Sequence, residues 1–299
     1  MQVGIIFSQA DSGTDPVAIR KWATDAESAG FEHLMAYDHI LGASADRLGP
    51  GPFGSFPSAP YTDQHTFHEI LTLFSHLSAV TTSMRFVTSV LVLPQRQAAL
   101  AAKQIATVDL LSGGRLDVAV GVGWNPAEYE GLGVRFSDRT ALLEEQVEVM
   151  RRLWTEPLVD FEGRFHTLRG VGINPLPTRP IPIMLGCGGS DAVLRRVVRI
   201  ADGWMPLLIP GLDPVGFGDA TRRLRQLAAE MDRDPATISI HARAYLGPGW
   251  QQAVTEAMEL GCSHLSFGFN RLANPGHSHA EHLDAVLGAK NELDALVGR

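Results

Sequence analysis

The chain of 299 residues has only two cysteines, Cys187 and Cys262. Two thiols cannot build a disulfide framework, and they fit a reducing compartment. Long apolar runs are missing as well. No stretch is long enough to span a bilayer, and MQVGIIF at the amino terminus runs straight into a strand-like segment without the charged and apolar regions of a secretory signal. The expectation is a cytoplasmic protein with no membrane partner. Positive charge is also short: 25 Lys and Arg stand against 33 Asp and Glu, a formal net charge of -8 with no basic stripe. Phosphate backbones demand clustered cations, so a nucleic-acid partner is not expected. Metal-ligand spacing is scarce. A metal-dependent barrel hydrolase would offer His-x-His after its first strand, where this chain has Phe7-Ser8-Gln9. His65, His68 and Glu69 read as the polar first turn of a helix running to Thr81. The group His277, His279 and His282 lacks acidic or cysteine companions at ligand spacing.

What is present is an ordinary globular composition, 45% hydrophobic and 19% charged, as expected of an enzyme with a large core. Its centre is the stretch Arg85 to Gly133. Phe86 to Leu93 is β-branched and apolar without alternation, the mark of a parallel strand buried on both faces. Pro94 ends it. Leu100, Ala101, Ile105, Val108 and Leu111 then recur at helical spacing up to Ser112-Gly113-Gly114, a left-handed stop. Leu116 to Val120 is the next strand, completing a right-handed βαβ unit. The loop Gly121-Val122-Gly123-Trp124-Asn125 leaves the carboxyl end of that strand, where α/β sheets and barrels bind ligands. By spacing alone, Gly121-x-Gly123 reads first as a plain tight turn, since the third glycine of the dinucleotide fingerprint is absent.

The rest of the chain repeats the pattern. Strands are expected at Val3 to Phe7, His33 to Ala36, Ile181 to Leu185, Gly203 to Leu207, Ile238 to Leu246 and His264 to Phe269, with helices at 16–29, 138–154, 192–200, 214–231, 250–260 and 285–296. Eight strand-helix repeats predict an α/β fold, a closed (β/α)8 barrel, as one domain over residues 1–299. Two insertions interrupt it. Residues 42–63, rich in Gly and Pro, read as a lid with Phe53, Phe56 and Tyr61 as aromatic walls, or as a surface loop. Residues 155–180 hold a hairpin around Glu162-Gly163. The turn Gly186-Cys187-Gly188-Gly189-Ser190 opens a helix whose free N–H groups and dipole can cradle phosphate, though a plain glycine-rich cap has the same sequence. Asp38-His39 after the second strand reads in isolation as a capped turn.

The runs TSVLVLP, AKQIATVDLLSGGRLDVAVGVGWNPAEYEGLG and RTALLEEQVEVMRRLWTE, with the tetrad YDHI, FEGRFH, PLPTRPIPIMLGCGGSDAVLRR and IADGWMP, resemble the luciferase-like superfamily of flavin- and deazaflavin-dependent oxidoreductases. The resemblance covers most of residues 1 to 206 and is nearest to the actinobacterial deazaflavin branch. It implies coenzyme F-420 as cofactor, with FMN as the alternative, and hydride transfer to or from a small organic substrate. By the same resemblance Asp38 and His39 lie beside the cofactor ring, with His39 as the proton donor. Thr88, Ser89 and Val90 form a bulge against the ring with a cis Ser89-Val90 peptide. Gly121, Gly123, Trp124 and Asn125 join the cofactor site, and Gly186, Cys187, Gly188, Gly189 and Ser190 take the phosphate. Family members are commonly homodimers. The competing readings are an oxygen-using FMN monooxygenase, a non-catalytic flavin-binding barrel and, last, a metal hydrolase.

Overall fold

A computed structural model of the chain describes residues 1–48, 61–206, 216–269 and 278–299. Its strands are β1 Gln2–Phe7, β2 His33–Ala36, β3 Arg85–Thr88, β4 Leu91–Val92, β5 Leu116–Gly121, β6 Val159–Glu162, β7 Thr167–Val171, β8 Ile183–Cys187, β9 Gly203–Pro206, β10 Ser239–Leu246 and β11 His264–Phe269. Its helices are α1 Pro16–Ser28, α2 Ala45–Leu48, α3 Ile70–Ser78, α4 Ala98–Leu111, α5 Pro126–Gly131, α6 Arg139–Thr155, α7 Asp191–Ile200, α8 Phe217–Glu230, α9 Trp250–Glu259, α10 His279–Gly288 and α11 Lys290–Val297.

The strands close into a ring. β1 pairs in parallel with β2 and β11, and the order continues through β3, β5, β8, β9 and β10 back to β11. Closure comes where Phe86 and Val87 of β3 meet Leu116 and Asp117 of β5. β4 continues β3 past an interruption at Ser89-Val90, a cis peptide as the resemblance implied. This is the eight-stranded parallel barrel expected from the repeats. The β6–β7 hairpin is antiparallel and stands outside the ring, in the second insertion. Among the described residues, no helix is long and apolar enough to cross a membrane.

Alternate residues of a barrel strand point inward. Register sets Ile6 beside Met35, Met35 beside Val87 and Ala119 beside Met184. With Met205 these form an interior apolar layer, topped by Tyr37 and Val90. One layer nearer the amino ends the interior turns polar: His33 and His241 each bring Nε2 to the Ser266 hydroxyl, at 2.8 and 2.7 Å. The larger apolar core lies between strands and helices.

Several boundaries differ from the sequence reading. α3 starts at Ile70, because the Glu69 carboxylate caps it by accepting from the Thr72 N–H at 2.8 Å. His65 and His68 therefore precede the helix, and His68 Nε2 donates to the Gly13 carbonyl at 3.0 Å. The expected helix 285–296 is two helices broken at Ala289, so His279 and His282 occupy the first turn of α10. On α4 Ala101, Ile105 and Val108 of the expected apolar stripe are buried, but Leu100 and Leu111 are 52% and 73% exposed. The buried side is completed by Ala98, Ala102 and Ala106. Small side chains let this helix lie close to its neighbours, which leaves the two leucines outside. β8 ends at Cys187, so Gly186 and Cys187 belong to the strand and not to a turn after it.

Candidate active site

The carboxyl ends of the barrel strands open into a cavity of about 1830 Å³. Tyr37, Asp38 and His39 line it after β2, Ser89 and Val90 after β3, and residues from Gly121 onward after β5. The structure thus brings most of the sequence-predicted residues to one mouth.

His39 sits in an aromatic nest. Its ring stacks on Tyr61 at 3.8 Å between centroids, meets Phe67 edge-on at 5.0 Å and lies 6.1 Å from Trp124. Its Nδ1 is 3.2 Å from the Glu128 carboxylate. An ionised carboxylate only accepts, so Nδ1 carries the proton and Nε2 is the nitrogen left for the cavity. Glu128 is 1% exposed. Burial pushes its carboxyl up, but the hydrogen bonds and charge from His39 and the N–H groups of Leu41 and Ile40 outweigh this and hold it below the usual range. The Tyr61 hydroxyl donates to the same carboxylate at 3.0 Å and accepts from the Asn125 amide at 2.8 Å. Burial and the Glu128 charge raise the Tyr61 phenol, which stays protonated.

Local sequence explains how Glu128 gets there. Asn125 caps α5 by accepting from the Ala127 N–H at 2.9 Å, with Pro126 at the first helical position. Glu128 then falls at the third helical position, facing back across the loop. Sequence reasoning missed it, although Asn-Pro-x-Glu is itself a helix-start signal. Tyr61, expected as a lid wall, is 2% exposed and fixed by this network. Phe53, Phe56 and His277 lie outside the described residues.

Asp38 is fully engaged. Its carboxylate accepts from both terminal nitrogens of Arg96 at 2.7 and 2.9 Å and from the Val92 N–H at 2.9 Å. A bidentate pair of this kind ties β2 to the strand after the bulge and places His39, leaving Asp38 no spare proton to move. Thr88 is similarly occupied, donating to the Ala119 carbonyl at 2.7 Å and accepting from the Ala119 N–H at 2.9 Å. Ser89 differs. It is 5% exposed, and its hydroxyl has no hydrogen-bond partner among the described residues.

The glycines at the mouth admit a side chain of the chain itself. A Cβ on Gly121 would lie 2.4 Å from one Val90 methyl, and a Cβ on Gly186 would lie 2.0 Å from the other. Gly123 has φ +60°, a left-handed turn, and a Cβ there would meet Val92 at 2.7 Å. At the far wall, Gly188, Val193 and Arg196 line the cavity. Ser190 is exposed and begins α7 without a side-chain cap bond, its carbonyl accepting from Val193 and Leu194. Two arginines of the cavity lining escaped the sequence reading. Arg196 pairs with Glu144 at 2.5 Å. Arg139 lies 3.7 Å over the Phe136 ring, and its Nε has no partner among the described residues. Among the described residues, no group of three or more His, Cys, Asp or Glu side chains could hold a metal. His279 instead stacks on Trp22 at 5.1 Å, and His282 on Phe269 at 4.6 Å.

A closed parallel barrel with its working cavity at the carboxyl ends of the strands is the architecture of a barrel enzyme. The family model for luciferase-like monooxygenases matches residues 1–294, and the chain belongs to that family. A Mycobacterium tuberculosis protein, Rv0940c, is 37% identical over 232 residues, 75% of this chain and 76% of that protein. Among solved structures, an F-420-dependent secondary alcohol dehydrogenase superposes with a TM-score of 0.72 at 17% identity, covering 96% of this chain and 97% of its own. The monooxygenase RslO1 of Streptomyces bottropensis gives 0.66 at 22% identity, with 100% and 88% covered.

Proposed function

We propose that the protein is a coenzyme F-420-dependent oxidoreductase acting on a small organic substrate. The observation that carries this reading is His39, held through Nδ1 by the buried Glu128 carboxylate with Nε2 left for the cavity. That is the arrangement of a general acid or base whose tautomer is fixed from behind. The surrounding Tyr61, Phe67 and Trp124 rings pack around it and fix its orientation.

The residues fit a ring-shaped cofactor. The cavity exceeds the roughly 300–1,000 Å³ of a typical small-molecule site, leaving room for cofactor and substrate together. Ser89 offers a buried hydroxyl without a partner among the described residues, and Val90 presents an apolar knob to a planar ring. Arg139, another residue of the cavity lining, carries an Nε–H without a hydrogen-bond partner among the described residues, a donor suited to a phosphate. A bound deazaflavin would supply two-electron hydride chemistry. The chain supplies orientation through Val90 and Ser89, and proton transfer at His39 Nε2, with Asp38 and Glu128 as positioning residues.

The likeness to the F-420-dependent dehydrogenase supports this cofactor, while the likeness to the monooxygenase RslO1 supports monooxygenation as the alternative, for which FMN would be the cofactor. Turnover of F-420 without oxygen, screened against small alcohols and enones, tests the choice. His39→Ala should keep cofactor affinity and lose about 10²- to 10⁴-fold in rate, the usual scale for one acid-base group. Oxygen-dependent turnover with reduced FMN, and none with F-420, would overturn the assignment.

A further inference from the structure

A second polar cluster lines the same cavity and shares no residue with the His39 network. Arg243 lies within β10, Tyr245 two residues on and Tyr37 just beyond β2. All three line the cavity. The two phenol oxygens are 2.6 Å apart, and the Arg243 guanidinium hydrogen-bonds to Tyr37. Arg243 also donates to the Pro206 carbonyl at 2.7 Å. These contacts use two of its five N–H groups, and among the described residues no carboxylate pairs with it.

Donors outnumber acceptors at this corner. A guanidinium only donates. Of the two phenolic hydrogens, one lies between the oxygens and the other is left over. Burial and the neighbouring Tyr245 raise the Tyr37 phenol well above its ordinary value, so that hydrogen stays in place at neutral pH. The corner therefore presents one uncompensated positive charge, unused N–H groups and an O–H to a cavity whose floor is Ile6, Met205 and Val90. Of the acids that line the cavity, Asp38 is neutralised by Arg96, Glu130 pairs with Arg47, and Glu256 makes no ion pair with Arg243 among the described residues. A planar anion meets these donors bidentately, and an apolar body beside it meets the floor.

We infer that Arg243, Tyr37 and Tyr245 form the recognition point for a substrate that carries a carboxylate, with its apolar part over the cavity floor. This deepens the proposed function and rests on the cavity being a substrate site. Benzoate is the probe and benzamide, its neutral isostere, the control, titrated calorimetrically into the full chain with and without F-420. The wild type should bind benzoate at least tenfold more tightly than benzamide. Arg243→Met should abolish that preference while F-420 affinity stays within twofold, and Tyr37→Phe should weaken benzoate severalfold. Arg243→Lys, which keeps the charge, serves if the methionine variant fails to fold, and should retain a reduced preference. Equal affinity for the two probes, no benzoate binding, or a preference that survives in Arg243→Met would overturn the inference. Failure of F-420 to bind would strike the cofactor reading alone, because the benzoate comparison is also made without it.

Discussion

His39 and Glu128 are 89 positions apart in the chain and 3.2 Å apart in the fold. The carboxylate accepts from the His39 ring, the Tyr61 hydroxyl and two backbone N–H groups, so almost every lone pair is used. Glu128→Gln would set an NH2 against donors that need an acceptor. We expect a stability loss of about 1–3 kcal/mol by urea denaturation, with a fall in turnover larger than any change in cofactor affinity. Unchanged turnover in a folded Gln variant would remove Glu128 from the mechanism. At this scale the sequence was half legible. Asp38 and His39 announce themselves in the YDHI tetrad, yet nothing local says that Asp38 spends its carboxylate on Arg96. Likewise Glu128 could be found only by taking Asn125-Pro126-Ala127-Glu128 as a helix start, and even then its partner was out of sight.

Between elements, the decisive contact is Val90 wedged between Gly121 at the end of β5 and Gly186 in β8. The resemblance placed Gly121 in the cofactor site and Gly186 in the phosphate turn, because the sequence had no means of showing which strands become neighbours. Closure of the barrel makes the space at these glycines serve Val90 first. Gly186→Ala should therefore destabilise by about 1–3 kcal/mol through overpacking and weaken cofactor binding by displacing the knob. Adding Val90→Ala should recover much of the stability, a coupling that a double-mutant cycle measures. Additive losses would show that the two positions do not press on each other. The α4 stripe teaches a related lesson. Periodicity located the helix, but its buried side was chosen by alanines that permit close packing, and Leu100 and Leu111 were left exposed.

Across the whole molecule the eight apolar strand segments and their spacing were enough to predict the barrel, because a parallel strand buried on both faces is hard to mistake. The polar layer inside it was not predictable, since a histidine early in a strand says nothing of its companions. His33, His241 and His279 are buried and held neutral: burial, with neighbouring histidines, lowers His33 to about 3, His279 to about 4 and His241 well below its ordinary value. The unfolded chain protonates these groups near pH 6.5 and the folded chain does not. Their contribution to stability is thus complete above pH 6.5 and is lost as pH falls towards 4. Near pH 5 the three together should give a slope of about 4 kcal/mol per pH unit. Urea denaturation between pH 7 and pH 5 checks this, and His241→Asn should flatten the slope by about one proton; a flat profile would mean that water or a neighbour already compensates these rings. The most direct test of the proposed function is reconstitution of the purified protein with F-420 and, separately, with FMN, followed by absorption and fluorescence. F-420 should bind stoichiometrically with altered fluorescence that is retained in His39→Ala, and FMN should bind far more weakly. Tight FMN binding with no response to F-420 would contradict the deazaflavin assignment.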